Sequence, residues 1–304
     1  MTAANPPVQA ASPYKGLLTR HPLLFFFIIA YAGSWLVWMP VVLSEGDGVG
    51  LLPFSSPLLK IVLMPAGGYL GPVLSAFVMT GMTEGREGIG RLLRRHVLWR
   101  VGIRWYLFAL LGIPMIMVLG AIVLPGALAS FQGLTSTIVL GYLFQFAFVF
   151  FLGGGLSEEP GWRGFALPRL QPLHGPLVGS LILGIFWGFW HLPLFLITGW
   201  NPLTMLNIVL FLISATFITI ILTWVFNNTK GSVLLAILGH TSINTSYAIL
   251  ALLFSATIVT GALPIVIGLG AVALLLVALT RGCLGYQHYQ QEVEEEPDPA
   301  TAST

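Results

Sequence analysis

Residues 156–170 read LSEEPGWRGFALPRL, which sets Glu158, Glu159 and Arg163 among flanking segments that are almost wholly hydrocarbon. An ionised group taken out of water without a partner costs several kcal/mol. A lipid-embedded chain therefore keeps such groups mainly for function or for mutual pairing. Two further polar spots stand downstream, WGFWH at 187–191 and HTSIN at 240–244. The expectation is that these three spots meet inside a membrane as one hydrolytic site.

Composition sets the class. The 304 residues are 56% hydrophobic and 8% charged, against roughly 25% charged in a soluble domain. This is the composition of a polytopic membrane protein. A formal net charge of +2 gives no reason to expect a nucleic-acid partner, and the expected partners are membrane lipids. The one cysteine, Cys283, leaves no intrachain disulfide and no thiolate metal spacing. Any metal would have to be held by histidine, carboxylate or amide oxygen.

A bilayer core of about 30 Å needs about 20 apolar residues per helix. On that ruler the chain is all-α with eight spans, at 22–43, 58–82, 105–124, 136–167, 176–198, 203–226, 232–254 and 258–280. The second is crowded by Pro65, Gly67, Gly68, Gly71 and Pro72, so a kink or a preceding surface segment at 51–59 is expected. Gly153, Gly154, Gly155 and Pro160 interrupt the fourth. Residues 1–21 read as a disordered cytoplasmic tail, 22–280 as the membrane domain and 281–304 as an acidic cytoplasmic tail, disordered from Glu292 onward. The 22–43 run is too long for a signal-peptide core, so it reads as a retained span.

Charge placement is an independent check on that count. Cytoplasmic loops carry excess Lys and Arg, and 83–104 holds Arg86, Arg91, Arg94, Arg95, Arg100 and Arg104. Eight spans put this loop, both termini, Arg169, Lys230 and Arg281 on one side, with only Lys60 opposite, beside Glu45 and Asp47. Both termini are then cytoplasmic, and the location is a plasma or inner membrane. The basic loop reads as an interfacial helix against anionic headgroups.

Residues four apart on a helix share a face. Glu159 therefore projects toward Arg163, and Glu158 points away, free to react. This holds whether Pro160 lies within a continuous helix or opens a new one, in which case the helix dipole favours the carboxylates. The bland alternative is an ion cluster that merely ends a span. His191 lies roughly 22 Å into its span, His240 roughly 12 Å and Glu158 roughly 14 Å at 1.5 Å per residue, depths compatible with a meeting near mid-bilayer. Asn244 shares a face with His240 and brings an amide beside the imidazole. A lone intramembrane histidine is more often a satisfied hydrogen-bonding group; the conjunction of four such groups argues for chemistry. Trp187, Phe189, Trp190 and Trp162 read as helix packing or as walls of an apolar groove. No HExxH is present, so a metal-bound water and a water held directly by Glu158 and His191 both stay open.

EExxxR at 158–163, HxxxN at 240–244 and an FxxxH motif met at His191 with Trp187 in place of phenylalanine resemble, together with GPVLSA at 71–76, the CAAX prenyl endopeptidase type II and bacteriocin-processing family, also called Abi or CPBP. The resemblance covers 22–280. It implies an intramembrane endopeptidase acting near the C-terminus of a lipidated or membrane-associated protein or peptide. By that resemblance Glu158 activates water, His191 helps hold it, His240 and Asn244 stabilise the oxyanion, and Glu159, Arg163 and Trp187 support them. The family has been described both as metalloproteases and as metal-independent glutamate proteases, so the cofactor is either none or a divalent metal such as zinc, held by Glu158, His191 and His240. Two other classes stay in view: a non-catalytic scaffold or immunity-type protein of the same fold, and a transporter whose polar residues line a path.

Overall fold

The computed structural model describes residues 13–255, 259 and 262–295. Among them the chain is helical, with no strand beyond a single bridge between Ser44 and Leu52. In chain order the elements are α1 (Pro13–Arg20), α2 (Pro22–Leu43), α3 (Pro57–His96), α4 (Ile103–Ile122), α5 (Ser136–Leu152), α6 (Gly155–His174), α7 (Pro176–Leu196), α8 (Met205–Asn228), α9 (Val233–Leu253), α10 (Leu263–Leu279) and α11 (Tyr286–Glu295). Local chemistry sets their starts. Pro22, Pro57 and Pro176 occupy opening turns, where a missing N–H costs nothing. Ser56, Thr135, Thr204 and Ser232 cap α3, α5, α8 and α9 by accepting from backbone N–H groups.

Among the described residues six helices are long and apolar enough to cross a membrane, or seven when α5 and α6 count as one span bent by 41°. The eight spans expected from sequence are therefore not all recovered. The eighth, α10, is 17 residues long, about 25 Å at 1.5 Å per residue and short of the full hydrocarbon thickness. Residues 258, 260 and 261 of the expected segment lie outside the described residues.

The crowded second span stays helical through its prolines. A π-turn at Tyr69–Val73 absorbs Pro72, since the wider turn accommodates a missing donor. The helix continues to His96, broken only at Gly85, where φ is 67°, so the basic segment extends the second span as a kinked arm. Both tails depart from the disordered reading where they are described: Pro13–Arg20 and Tyr286–Glu295 are helical. Residues 1–12 and 296–304 lie outside the described residues.

α9 is the most enclosed span, with 72% of its apolar window buried. Against it pack α4, α5, α6 and α8. α6 meets α3 where a Cβ on Gly161 would lie 2.6 Å from the Pro72 carbonyl oxygen, so only glycine permits that approach. At one end of the bundle Glu84 pairs with Arg91 and Arg169, Arg95 meets Tyr289, and Ser232 donates to the Leu98 carbonyl. At the other, Lys60 pairs with Asp47 and donates to the Thr198 carbonyl. Arg91, Arg95 and Arg169 thus gather at one end, away from Lys60.

Candidate active site

The break between α5 and α6 creates the site. Gly153 ends α5 and Gly154 takes φ 116°, a left-handed value that side chains with a Cβ rarely adopt. A new helix therefore opens at Gly155, so of the two interruptions expected from sequence the glycine run makes the break and Pro160 does not. Glu158 falls in its first turn, where the unpaired N–H groups and the dipole favour an anion. Pro160 sits inside the helix and is followed by a π-turn at Trp162–Ala166.

The two glutamates diverge. Glu159 Oε1 accepts from Arg163 Nη1 at 2.8 Å and from His240 Nδ1 at 2.7 Å, and Arg163 Nη2 donates to Thr219 Oγ1 at 3.2 Å. Both members of this ion pair are wholly enclosed, at 0% side-chain exposure. Glu158 keeps 7% and lines a cavity of about 300 Å³ with His191, His240, Asn244, Trp187 and Gly154. Its Oε2 accepts from Trp187 Nε1 at 2.6 Å and from Trp162 Nε1 at 3.3 Å. Two indoles therefore hold one oxygen and leave Oε1 to the cavity.

Gly154 marks where the polar groups converge. A Cβ built there would lie 2.9 Å from Glu158 Oε1, 3.0 Å from His240 Nε2 and 3.0 Å from Asn244 Nδ2. Asn244 Nδ2 also donates to the Gly153 carbonyl at 2.7 Å, tying α9 to the break. His191 ends the α-helical part of α7, and its Nδ1 lies 2.8 Å from the Trp187 carbonyl. A carbonyl only accepts, so Nδ1 carries the proton and the other ring nitrogen is left with its lone pair. By the same inventory the proton on His240 Nδ1 goes to Glu159.

Trp187 does more than the packing read from sequence. Besides holding Glu158, its ring meets His191 and His240 edge-on at 5.5 and 5.3 Å, and Arg163 stacks over it at 5.1 Å. Three features escape the sequence reading: Trp187 and Trp162 as donors to Glu158, the Glu159–His240 bond and the Gly154 cradle. A tryptophan in an apolar helix carries no sign of whether its N–H is used.

The trio Glu158, His191 and His240 does not fit a metal. Among the described residues no three His, Cys, Asp or Glu side chains are disposed to hold an ion. An amide nitrogen, which cannot ligate as a neutral donor group, shares the Gly154 cradle with the carboxylate. Glu159 Oε1 is already taken by Arg163 and His240.

A family model described as Type II CAAX prenyl endopeptidase Rce1-like matches residues 140–246. The chain resembles this family. The matched segment contains Glu158, Glu159, Arg163, Trp187, His191, His240 and Asn244. The chain is also 24% identical over 240 residues to CAAX prenyl protease 2 of Methanococcus maripaludis, covering 75% of this chain and 84% of that protein. With its apolar helices and its likeness to this family, the chain is an integral membrane protein.

Proposed function

We propose that this protein is an intramembrane endopeptidase that hydrolyses a peptide bond near the C-terminus of a prenylated, membrane-anchored protein. The observation that carries the reading is the convergence of Glu158 Oε1, His240 Nε2 and Asn244 Nδ2 on one point of a cavity walled largely by hydrocarbon. The name of the Methanococcus relative supports the substrate class.

In this reading Glu158 Oε1 takes a proton from a water molecule as its oxygen attacks the scissile carbonyl. The His191 nitrogen not spent on the Trp187 carbonyl accepts from the same water. Asn244 Nδ2 donates to the oxyanion, and His240 Nε2 does so in the imidazolium form, because the proton on Nδ1 is already committed to Glu159. Fixed donors in a water-poor site stabilise developing charge strongly. Glu158 then passes its proton to the leaving amine, closing the balance of one water added and one peptide bond cleaved. The Glu159–Arg163 pair acts on His240 and stays out of the reaction.

The arginine-bearing end of the bundle faces the cytoplasm in this reading, following the bias of cytoplasmic loops toward Lys and Arg, in a plasma or inner membrane. The test is cleavage of a farnesylated CAAX peptide by protein in liposomes, wild type against Glu158→Gln, with an unlipidated peptide as control. Glutamine keeps the size and removes the base. Cleavage by wild type alone is expected; cleavage that survives the substitution sinks the assignment of Glu158.

A further inference from the structure

At the arginine-bearing end, a polar cavity of about 180 Å³ lies between α3 and α6, lined by Thr80, Glu84, Arg91, Arg95 and Arg169 and sharing no lining residue with the Glu158 cavity. Three guanidiniums face one carboxylate there, a surplus of two positive charges. We propose that this cavity binds a phosphate group, carried by an anionic lipid headgroup or free in solution. The proposal stands independently of the protease reading.

Each guanidinium is already aimed. Arg91 Nη2 donates to Glu84 Oε2 at 2.8 Å, and Arg169 reaches the other oxygen of the same carboxylate. Arg169 Nη1 also donates to the Phe165 carbonyl at 2.9 Å, with its guanidinium 3.6 Å from the Phe165 ring centre. Arg95 donates to the Tyr289 hydroxyl at 2.7 Å and lies over the Tyr289 and Phe226 rings at 5.5 and 5.9 Å. These contacts use part of each fork and fix its plane, so less rotamer freedom is lost when a ligand arrives. A phosphate monoester carries about −1.5 to −2 charges near neutral pH, which matches the surplus. Its tetrahedral oxygens suit paired guanidinium N–H groups, which bind phosphate bidentately. Arg91 and Arg95 lie on the arm beyond Gly85, and Arg95 meets Tyr289 of α11. A ligand here would therefore staple α3 to α6, next to the contact with α11.

The experiment uses the full chain in detergent micelles, with native mass spectrometry counting bound phosphatidic acid against phosphatidylcholine. The expected result is a single phosphatidic acid adduct on the wild type, weakened at least about tenfold in R95Q and in R169Q, since each removes charge-assisted hydrogen bonds. R100Q, whose guanidinium stacks on Trp99 away from this cavity, should bind like wild type. R95K and R169K, which keep the charge and lose the fork, should fall between, and thermal midpoints of all variants report whether each folds. Excess inorganic phosphate separates the two sources: competition identifies the phosphate group itself as sufficient, and no competition identifies the lipid-borne one. Equal binding by wild type, R95Q and R169Q, or equal loss in R100Q, overturns the site in favour of diffuse attraction to a basic surface.

Discussion

Replacing Trp187 with phenylalanine isolates one contact. The indole N–H reaches Glu158 Oε2 at 2.6 Å, whereas the other donor to that oxygen, Trp162 Nε1, stands at 3.3 Å. A hydrogen bond to a charged group is worth about 1.5–3 kcal/mol. At about 1.4 kcal/mol per factor of ten, its loss lowers kcat by roughly tenfold to roughly a hundredfold, because the carboxylate can rotate and turn Oε1 away from the attack position. The ring is buried, so the smaller side chain also leaves a void costing on the order of 1–2 kcal/mol of stability. The assay is steady-state cleavage of a farnesylated peptide in liposomes, with the thermal midpoint measured in parallel. The expectation is a fall in kcat with KM nearly unchanged, since the indole faces the carboxylate rather than the length of the substrate. Phenylalanine is also what the resembling family motif carries at this position, which makes the outcome informative. A variant with undiminished kcat would refute the reasoning and reduce Trp187 to packing.

Gly154→Ala places a methyl about 3 Å from Glu158, His240 and Asn244 at a positive φ, so cleavage should vanish while circular dichroism keeps the helical signal. Arg163→Ala leaves buried Glu159 with His240 as its remaining partner, and broken buried pairs typically cost about 3–5 kcal/mol; chemical denaturation should register a loss toward the lower end, and an unchanged midpoint would contradict the enclosed pairing. Asn244→Ala removes the tie to the Gly153 carbonyl and, on the proposed reading, a donor to the oxyanion, for which kcat should fall by about a hundredfold or more. Dialysis against a chelator should leave the cleavage rate unchanged, given that no three ligating side chains are disposed around an ion.

The spans were legible because about 20 apolar residues in a row have few other uses. What the ruler misjudged were the places where helices bend without stopping. Pro65 and Pro72 look like breakers, yet a π-turn carries α3 past Pro72, and width of turn leaves no mark in composition. The position of the break before Glu158 was visible as a glycine run, but which glycine takes the left-handed conformation depends on how α9 meets it. Glu158, Glu159, Arg163, His191, His240 and Asn244 stood out because ionisable and amide groups are rare in hydrocarbon. Trp187 and Trp162 did not, since an indole N–H that reaches a carboxylate and one that reaches nothing are the same letter in the same apolar run.

The sharing of Glu159 Oε1 between Arg163 and His240 bears on how such a chain can evolve. A lineage that abandons hydrolysis can lose Glu158 in one step, because that carboxylate faces a cavity. Glu159 and Arg163 have no such exit: losing either alone strands a bare charge in hydrocarbon, so they persist or disappear together. Two adjacent identical letters thus carry different histories. Among related sequences, a surviving second glutamate with its arginine would mark inherited architecture, and on the proposed reading only the first would mark retained chemistry.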